Sequence, residues 1–322
     1  MNVKLTTLPT LGSAVLLAAL LPTSVGAAEA EPPLQFVDAH SHLLPNMTVD
    51  EEMAMFRKAG VSAVLIMSVP ADKQQELAKN YSGYAVPFFG FARSRNSNQM
   101  PMNDETLATF GKLLDSGAMC GVGETGTMMD PAEPPAVSLQ NPFYLKVFEL
   151  AAAHRAPVTY HVDLSTPEVE QAFGRVATAY PRLPLIMAHA GFNAGPEVSA
   201  RLLAAHPNIF VEVSIRLDPL NGFGDPPVPG PNGPDRRTML DAAGALTPGW
   251  RTLMERYPDR FIFAMDIAPT GPKGREMRAP ELTDIARKAL TVLPRASQEA
   301  IAHGNIERLL EACAAGPAKR RL

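Results

Sequence analysis

The chain has no long apolar run beyond its first 30 residues, no large excess of either charge, no internal repeat and only two cysteines. Each absence excludes a class of protein. With 29 Lys and Arg against 33 Asp and Glu, the net charge is −4, so there is no general electrostatic pull toward nucleic acid, and no nucleic-acid partner is expected. Two cysteines do not make a disulfide framework. Because Cys120 sits in an apolar run, it and Cys313 are expected to be buried free thiols. Without a later apolar stretch of spanning length, no stable membrane span is expected.

What is present is a leader-like start followed by a long alternating pattern. Lys4 supplies a positive n-region, Leu11 to Leu21 an apolar h-region, and Val25-Gly26-Ala27 small residues for cleavage. Residues 1–27 thus read as a signal peptide, with the mature chain exported to a periplasmic or extracellular space. There is no twin-Arg pair and no lipobox cysteine.

Eight short apolar runs follow: Gln35–Ser41, Ala63–Val69, Ala85–Ala92, Met119–Gly123, Pro157–His161, Leu185–Ala188, Ile209–Ser214 and Phe261–Met265. Runs of this kind suit strands buried on both faces of a parallel sheet. Amphipathic helices are predicted between them at Asp50–Ala59, Lys73–Asn80, Asp104–Leu114, Pro142–His154, Pro167–Ala179 and Pro196–Ala205. Asp50 is the expected N-cap of the first, and Gly60 its expected stop. Eight β-α alternations predict an α/β protein whose residues 28–322 form a single-domain (β/α)8 TIM barrel, ahead of an open doubly wound sheet. Residues 217–234 carry six prolines and four glycines and predict an irregular loop at the C-terminal face of the barrel. The loop at 127–141 is expected at the same face.

The runs end in metal-ligand side chains. His40-Ser41-His42 closes the first, and residues i and i+2 of a strand share a face, so two imidazoles leave it together. Glu124 stands at the end of the fourth, His161 of the fifth, His189 of the sixth and Asp266 of the eighth. Any one of these is commonly a packed or capping residue. Six at the strand ends that converge on one mouth predict a metal centre. Asp38 is expected to orient His40. Arg216 is a candidate contact for an anionic substrate group, with a barrel-mouth ion pair as its alternative role. Tyr160 is expected to point away from the mouth. His154, His206 and His303 read as structural.

With these residues in place, the chain resembles the amidohydrolase superfamily. The matching stretches are VDAHSHLLP at 37–45, GVGETG at 121–126, TYH at 159–161, MAHAG at 187–191, AMD at 264–266 and GNIERLL at 304–310. The opening and closing motifs resemble the amidohydrolase-related branch, and GVGETG resembles the TatD-like branch. The resemblance implies one or two divalent metal ions, zinc first, with manganese or iron as alternatives. It places His40, His42 and Asp266 on one ion, His161 and His189 on a second, and Glu124 between them. It also implies a supporting role for Asn305 at the barrel end. The implied activity is hydrolysis of a small-molecule amide, ester, lactone or phosphoester by a metal-activated water, with Asp266 as proton carrier. The alternative is a single-metal decarboxylase of the amidohydrolase-related branch, which has no need of a bridging carboxylate at Glu124. The chain departs from urease-type relatives, whose fourth strand carries a carboxylated lysine. It departs from TatD-like nucleases in following Gly126 with Thr127-Met128-Met129.

Overall fold

The computed structural model describes residue 1 and residues 32–91, 100–126, 139–218, 238–269 and 276–314. Apart from their ends, the expected leader and the two mouth loops at 127–141 and 217–234 lie outside the described residues. Two compact units are distinguished, Met1–Pro33 and Leu34–Leu322, and the second holds everything that follows.

The strands are β1 (Phe36–Ser41), β2 (Val61–Ile66), β3 (Ala85–Pro87), β4 (Val122–Gly126), β5 (Val158–His161), β6 (Leu185–Met187), β7 (Ile209–Glu212) and β8 (Phe261–Ile262). The helices are α1 (Val49–Lys58), α2 (Ala71–Asn80), α3 (Asp104–Asp115), α4 (Pro142–His154), α5 (Pro167–Ala179), α6 (Pro196–Ala205), α7 (Pro248–Arg256), α8 (Ala279–Leu290), α9 (Arg295–Glu299) and α10 (Asn305–Ala314). All paired strands run parallel, in the orders β1-β2-β3 and β4 through β8. Parallel bridges Phe89↔Val122 and Ser41↔Ile267 join the two runs into a barrel. The predicted alternation is therefore the observed one.

Two local expectations are corrected. Strand β4 starts three residues later than predicted: Met119 and Cys120 are buried just ahead of it, and Cys120 belongs to the same apolar cluster as Leu310 of α10. The N-cap of α1 is Thr48, not Asp50. The Thr48 hydroxyl accepts from the Glu51 amide while the Glu51 carboxylate accepts from the Thr48 amide, which satisfies two otherwise unpaired N–H groups. Gly60 does follow this helix, with φ +75, a region that favours glycine.

The core divides by strand alternation. Phe36, Val64, Tyr160, Leu185, Val211 and Phe261 face the helices in one apolar cluster. Val37, Ala63, Leu65, Phe88, Ile186 and Ile262 form a second, which fills the barrel lumen. Ile306 and Leu310 of α10 belong to this second cluster, so the last helix closes the barrel floor. Asn305 supports that closure as expected, donating to the carbonyls of Pro258 and Phe261 at 2.8 Å each. Tyr160 points outward among Tyr144, Phe148 and Phe173. No described helix is long and apolar enough to cross a membrane.

The two cysteines are not free thiols. Cys120, just before β4, and Cys313, near the end of α10, form a disulfide across 193 residues of sequence. The topology brings the β4 start and the α10 end to the same barrel floor, with their Cα atoms 5.2 Å apart, inside the range a disulfide spans.

Candidate metal centre

All six predicted ligand-type residues meet at the C-terminal mouth. His40 Nε2 lies 3.3 Å from His42 Nε2, and Asp266 Oδ1 lies 3.6 Å and 3.8 Å from these two nitrogens. Glu124 is the hinge of the group. Its Oε2 sits 3.7 Å from His40 Nε2 and 3.6 Å from His42 Nε2, while its Oε1 contacts His161 Nδ1 and lies 3.0 Å from His189 Nε2. His161 Nδ1 and His189 Nε2 are 3.2 Å apart. Two sets, His40-His42-Asp266 and His40-Glu124-His189, each place one donor atom per residue within 4.8 Å of the others.

Irregular backbone aims these side chains. Between Asp38 and Ser41, three residue steps of β1 match two of β2. Between Val122 and Thr125, three steps of β4 match two of β5. One extra residue in a strand turns the side chains beside it, and here the displaced positions hold His40 and Glu124. His189 (φ 52) and Asp266 (φ 51) both adopt left-handed backbone where their strands end. Such conformations cost about 1–3 kcal/mol each and persist only where the surroundings hold them.

One functional residue escaped the sequence reading. Glu212, the last residue of β7, is fully buried. Its Oε2 accepts from His40 Nδ1 at 2.9 Å and from the His189 amide at 3.3 Å, and its Oε1 accepts from the Ser214 amide at 2.5 Å. Ser214 Oγ lies 2.6 Å from His189 Nδ1. Glu212 thus fixes the ring of His40, and Ser214 that of His189, with both Nε2 atoms facing the cluster. Glu212 carries the same signal as the other six, a ligand-type side chain ending an apolar strand run. Asp38 does not hold the His40 ring as expected. It accepts from the amides of His40 (3.2 Å) and Met265 (2.8 Å) and from Ser41 Oγ (2.6 Å), tying β1 to the end of β8.

Arg216 has a different role from the expected anion contact. It is fully buried, donates to the carbonyls of His189 (3.4 Å), Phe192 and Ala194 (3.0 Å), and lies against the Trp250 ring at 5.2 Å. Its guanidinium braces the turn after β6. The three histidines read as structural lie away from the cluster: His154 beside Asp115, His206 beside Thr178 and His303 beside Glu307.

The electrostatics fit a cation. Burial alone would lower His40, yet the charges of Glu124 and Asp266 hold it well above the ordinary imidazole range. Burial would likewise lower His189, and its bond to Glu124 raises it instead. Burial would raise Glu124, but His161 and His40 hold it well below the usual carboxylate range. Burial would raise Glu212 too, and the His40 bond and charge, with His189 and Ser214, bring it down to about 2. The carboxylates therefore draw positive charge into the middle of the cluster. Imidazole nitrogen and carboxylate oxygen are the donors that zinc and its first-row neighbours accept. His40, His42, Asp266, Glu124, His161 and His189 would hold such ions.

The family model for the amidohydrolase 2 family, described as Amidohydrolase, matches residues 74–312, and the chain belongs to that family. The match begins after β1, so the His40-His42 pair lies outside it. No curated protein matches the sequence. In structure, the chain is similar to an uncharacterised TIM-barrel protein from Bordetella bronchiseptica, with a TM-score of 0.58 and 15% identity over 87% of this chain and all of the other. It is similar to an amidohydrolase from Burkholderia multivorans, at 0.55 and 15% identity over 86% and 99% of the two chains. It is also similar to a TatD homologue of Escherichia coli K12, at 0.52 and 16% identity over 86% and 94%. These likenesses confirm the barrel fold. The family gives the protein class: an enzyme of the amidohydrolase superfamily with a buried His/Glu metal-site candidate.

Proposed function

We propose that this protein is a metal-dependent hydrolase of a small-molecule amide, ester, lactone or phosphoester, with up to two divalent ions at the barrel mouth and zinc as the first expectation. The observation that carries this reading is Glu124, whose two oxygens face different histidine pairs, Oε2 toward His40 and His42 and Oε1 toward His161 and His189. A carboxylate so placed suits sharing between two ions, which a single-metal lyase does not require. When bound, such ions lower the pKa of a water and polarise a carbonyl or phosphoryl oxygen.

The chain's own residues supply the rest. His40 and His189 are immobilised by Glu212 and Ser214, so their Nε2 atoms need no reorganisation to bind. Asp266 is partly open to solvent at the edge of the cluster and within 4 Å of both His40 and His42. Its carboxylate is placed to take a proton from the attacking water and return it to the leaving group. The lumen beneath is packed with apolar side chains, which excludes bulk water from that side. We also place the mature protein outside the cytoplasm. The leader pattern of residues 1–27 and the Cys120–Cys313 disulfide, which favours an oxidising compartment, support that location.

The test is metal stoichiometry on the purified protein, together with turnover on ester, lactone, amide and phosphoester panels. Two ions per chain, with Glu124→Gln losing one ion and activity, is the expected outcome. One ion retained unchanged in Glu124→Gln would favour the decarboxylase instead.

A further inference from the structure

The turn after β6 contains a feature that metal binding does not explain. His189, Ala190, Gly191 and Phe192 all have positive φ, at 52, 49, 74 and 56°. Phe192, with ψ −93°, occupies a region bulky residues rarely adopt. The turn is held in place from several sides. Phe192 N donates to His189 O at 2.9 Å, and Ala194 N donates to Gly191 O at 3.1 Å. Leu164 N, from the segment after β5, also donates to Gly191 O at 3.1 Å. Arg216, itself packed on Trp250, binds the carbonyls of His189, Phe192 and Ala194.

The consequence is the position of one ring. Phe192 lies 5.6 Å from the His161 ring and 6.2 Å from the His189 ring, centroid to centroid. Both histidines are buried, while Phe192 remains partly open to solvent. A phenyl ring used only for packing has unstrained sites in the core. This one is held under strain at the open edge of the ligand cluster, beside the two imidazoles that Glu124 joins.

We propose that Phe192 is a specificity-determining residue, forming an apolar wall for the group next to the hydrolysed bond, and that the preferred substrates carry an aromatic or other planar apolar group there. This rests on the metal-hydrolase reading above. A substrate whose reacting oxygen lies over the cluster brings its neighbouring substituent within ring-stacking range of Phe192, where aromatic pairs settle with centroids about 4.5–7 Å apart. Covering the solvent-exposed part of Phe192 also removes apolar surface from water.

The test compares benzohydroxamate with acetohydroxamate, two probes with the same metal-binding head and different side groups, by calorimetry on the metal-loaded full chain. Wild type is expected to bind benzohydroxamate about tenfold more tightly, the scale of one aromatic contact plus its buried area. Phe192→Ala brings the ratio close to one, and Phe192→Leu, the variant that keeps apolar bulk, falls between. A merely structural Phe192 would weaken both probes alike and leave the ratio unchanged, which overturns the proposal. So does a wild-type ratio near one, a result readable even if Phe192→Ala fails to fold. Failure of both probes to bind metal-loaded wild type would overturn the metal-hydrolase reading, and the proposal with it.

Discussion

Glu212 is the residue on which most of the site's geometry depends without being positioned as a ligand. Its two oxygens reach the His40 ring, the His189 amide and the Ser214 amide, so it ties the two halves of the cluster to β7. Glu212→Gln keeps the shape and removes the charge that the His40 Nδ1–H faces. Metal affinity is expected to fall by about 10- to 100-fold, the usual cost of losing a partner that orients a ligating histidine. Competition with a chromophoric chelator measures it, and unchanged affinity would show that His40 is held by packing alone. The six predicted residues were legible because each is a ligand-type side chain closing an apolar run, and a barrel brings such ends together. Glu212 closes such a run too, in Ile-Phe-Val-Glu, but the predicted strand runs on to Ser214 and places Glu212 inside it. The Asp38 role is hidden from the sequence for a different reason. Proximity in sequence suggested contact with the His40 ring, whereas the one-residue slip in β1 turns that ring toward Glu212.

At the scale of elements, α1 is fastened to the loop that follows the His40-His42 pair. Glu52, in the first turn of α1, is buried, and its Oε1 accepts from the Leu44 amide, while Oε2 has no hydrogen-bond partner among the described residues. Burial raises its carboxyl to about 7, against the opposing pull of the Leu44 bond and Lys73. The sign follows directly. In the unfolded chain the group ionises near its ordinary value of 4.5, so the folded state holds the proton more tightly. The stability this gives is complete below about pH 4.5 and is lost as pH rises through about 7. Glu52→Gln supplies a neutral acceptor of the same size. It is expected to match wild type near pH 4.5 and exceed it above pH 7 by about 2 kcal/mol, after allowing for solvent screening. Thermal melts at several pH values give the curve, and a gap that does not change with pH would place the effect elsewhere. The order of the eight strands and of α1 through α6 was legible, since apolar runs and helix-start residues alternate there; α7, α8 and α9, which follow the Pro/Gly-rich interval 217–234, have no counterpart among the predicted helices. Element ends were less so: the Thr48 cap precedes the expected Asp50, and the start of β4 was confused with apolar burial at Met119 and Cys120.

Over the whole molecule, the barrel has a reactive end and a supporting end, and the disulfide belongs to the second. Cys120 and Cys313 lie at the floor with Ile306 and Leu310, whereas the His/Glu/Asp cluster lies at the mouth. Their pairing was not legible in the sequence. Two residues 193 positions apart are joined only because the five strands β4 through β8, with their intervening helices, bring α10 back beneath β4. A closed loop of that length restricts the unfolded chain by about 5 kcal/mol on the chain-entropy model. Reduction with a thiol, or replacement of both cysteines by serine, is therefore expected to lower the melting temperature by on the order of 10 °C. Metal stoichiometry at 25 °C should be unaffected, because none of the six ligand-type residues touches either cysteine. Scanning calorimetry with and without reductant, with metal analysis of both samples, separates the two effects. An unchanged melting temperature would mean that α10 is held by its apolar contacts alone. A loss of metal on reduction would mean that the floor and the mouth of the barrel are coupled, and that α10 helps to set the geometry of the histidine cluster.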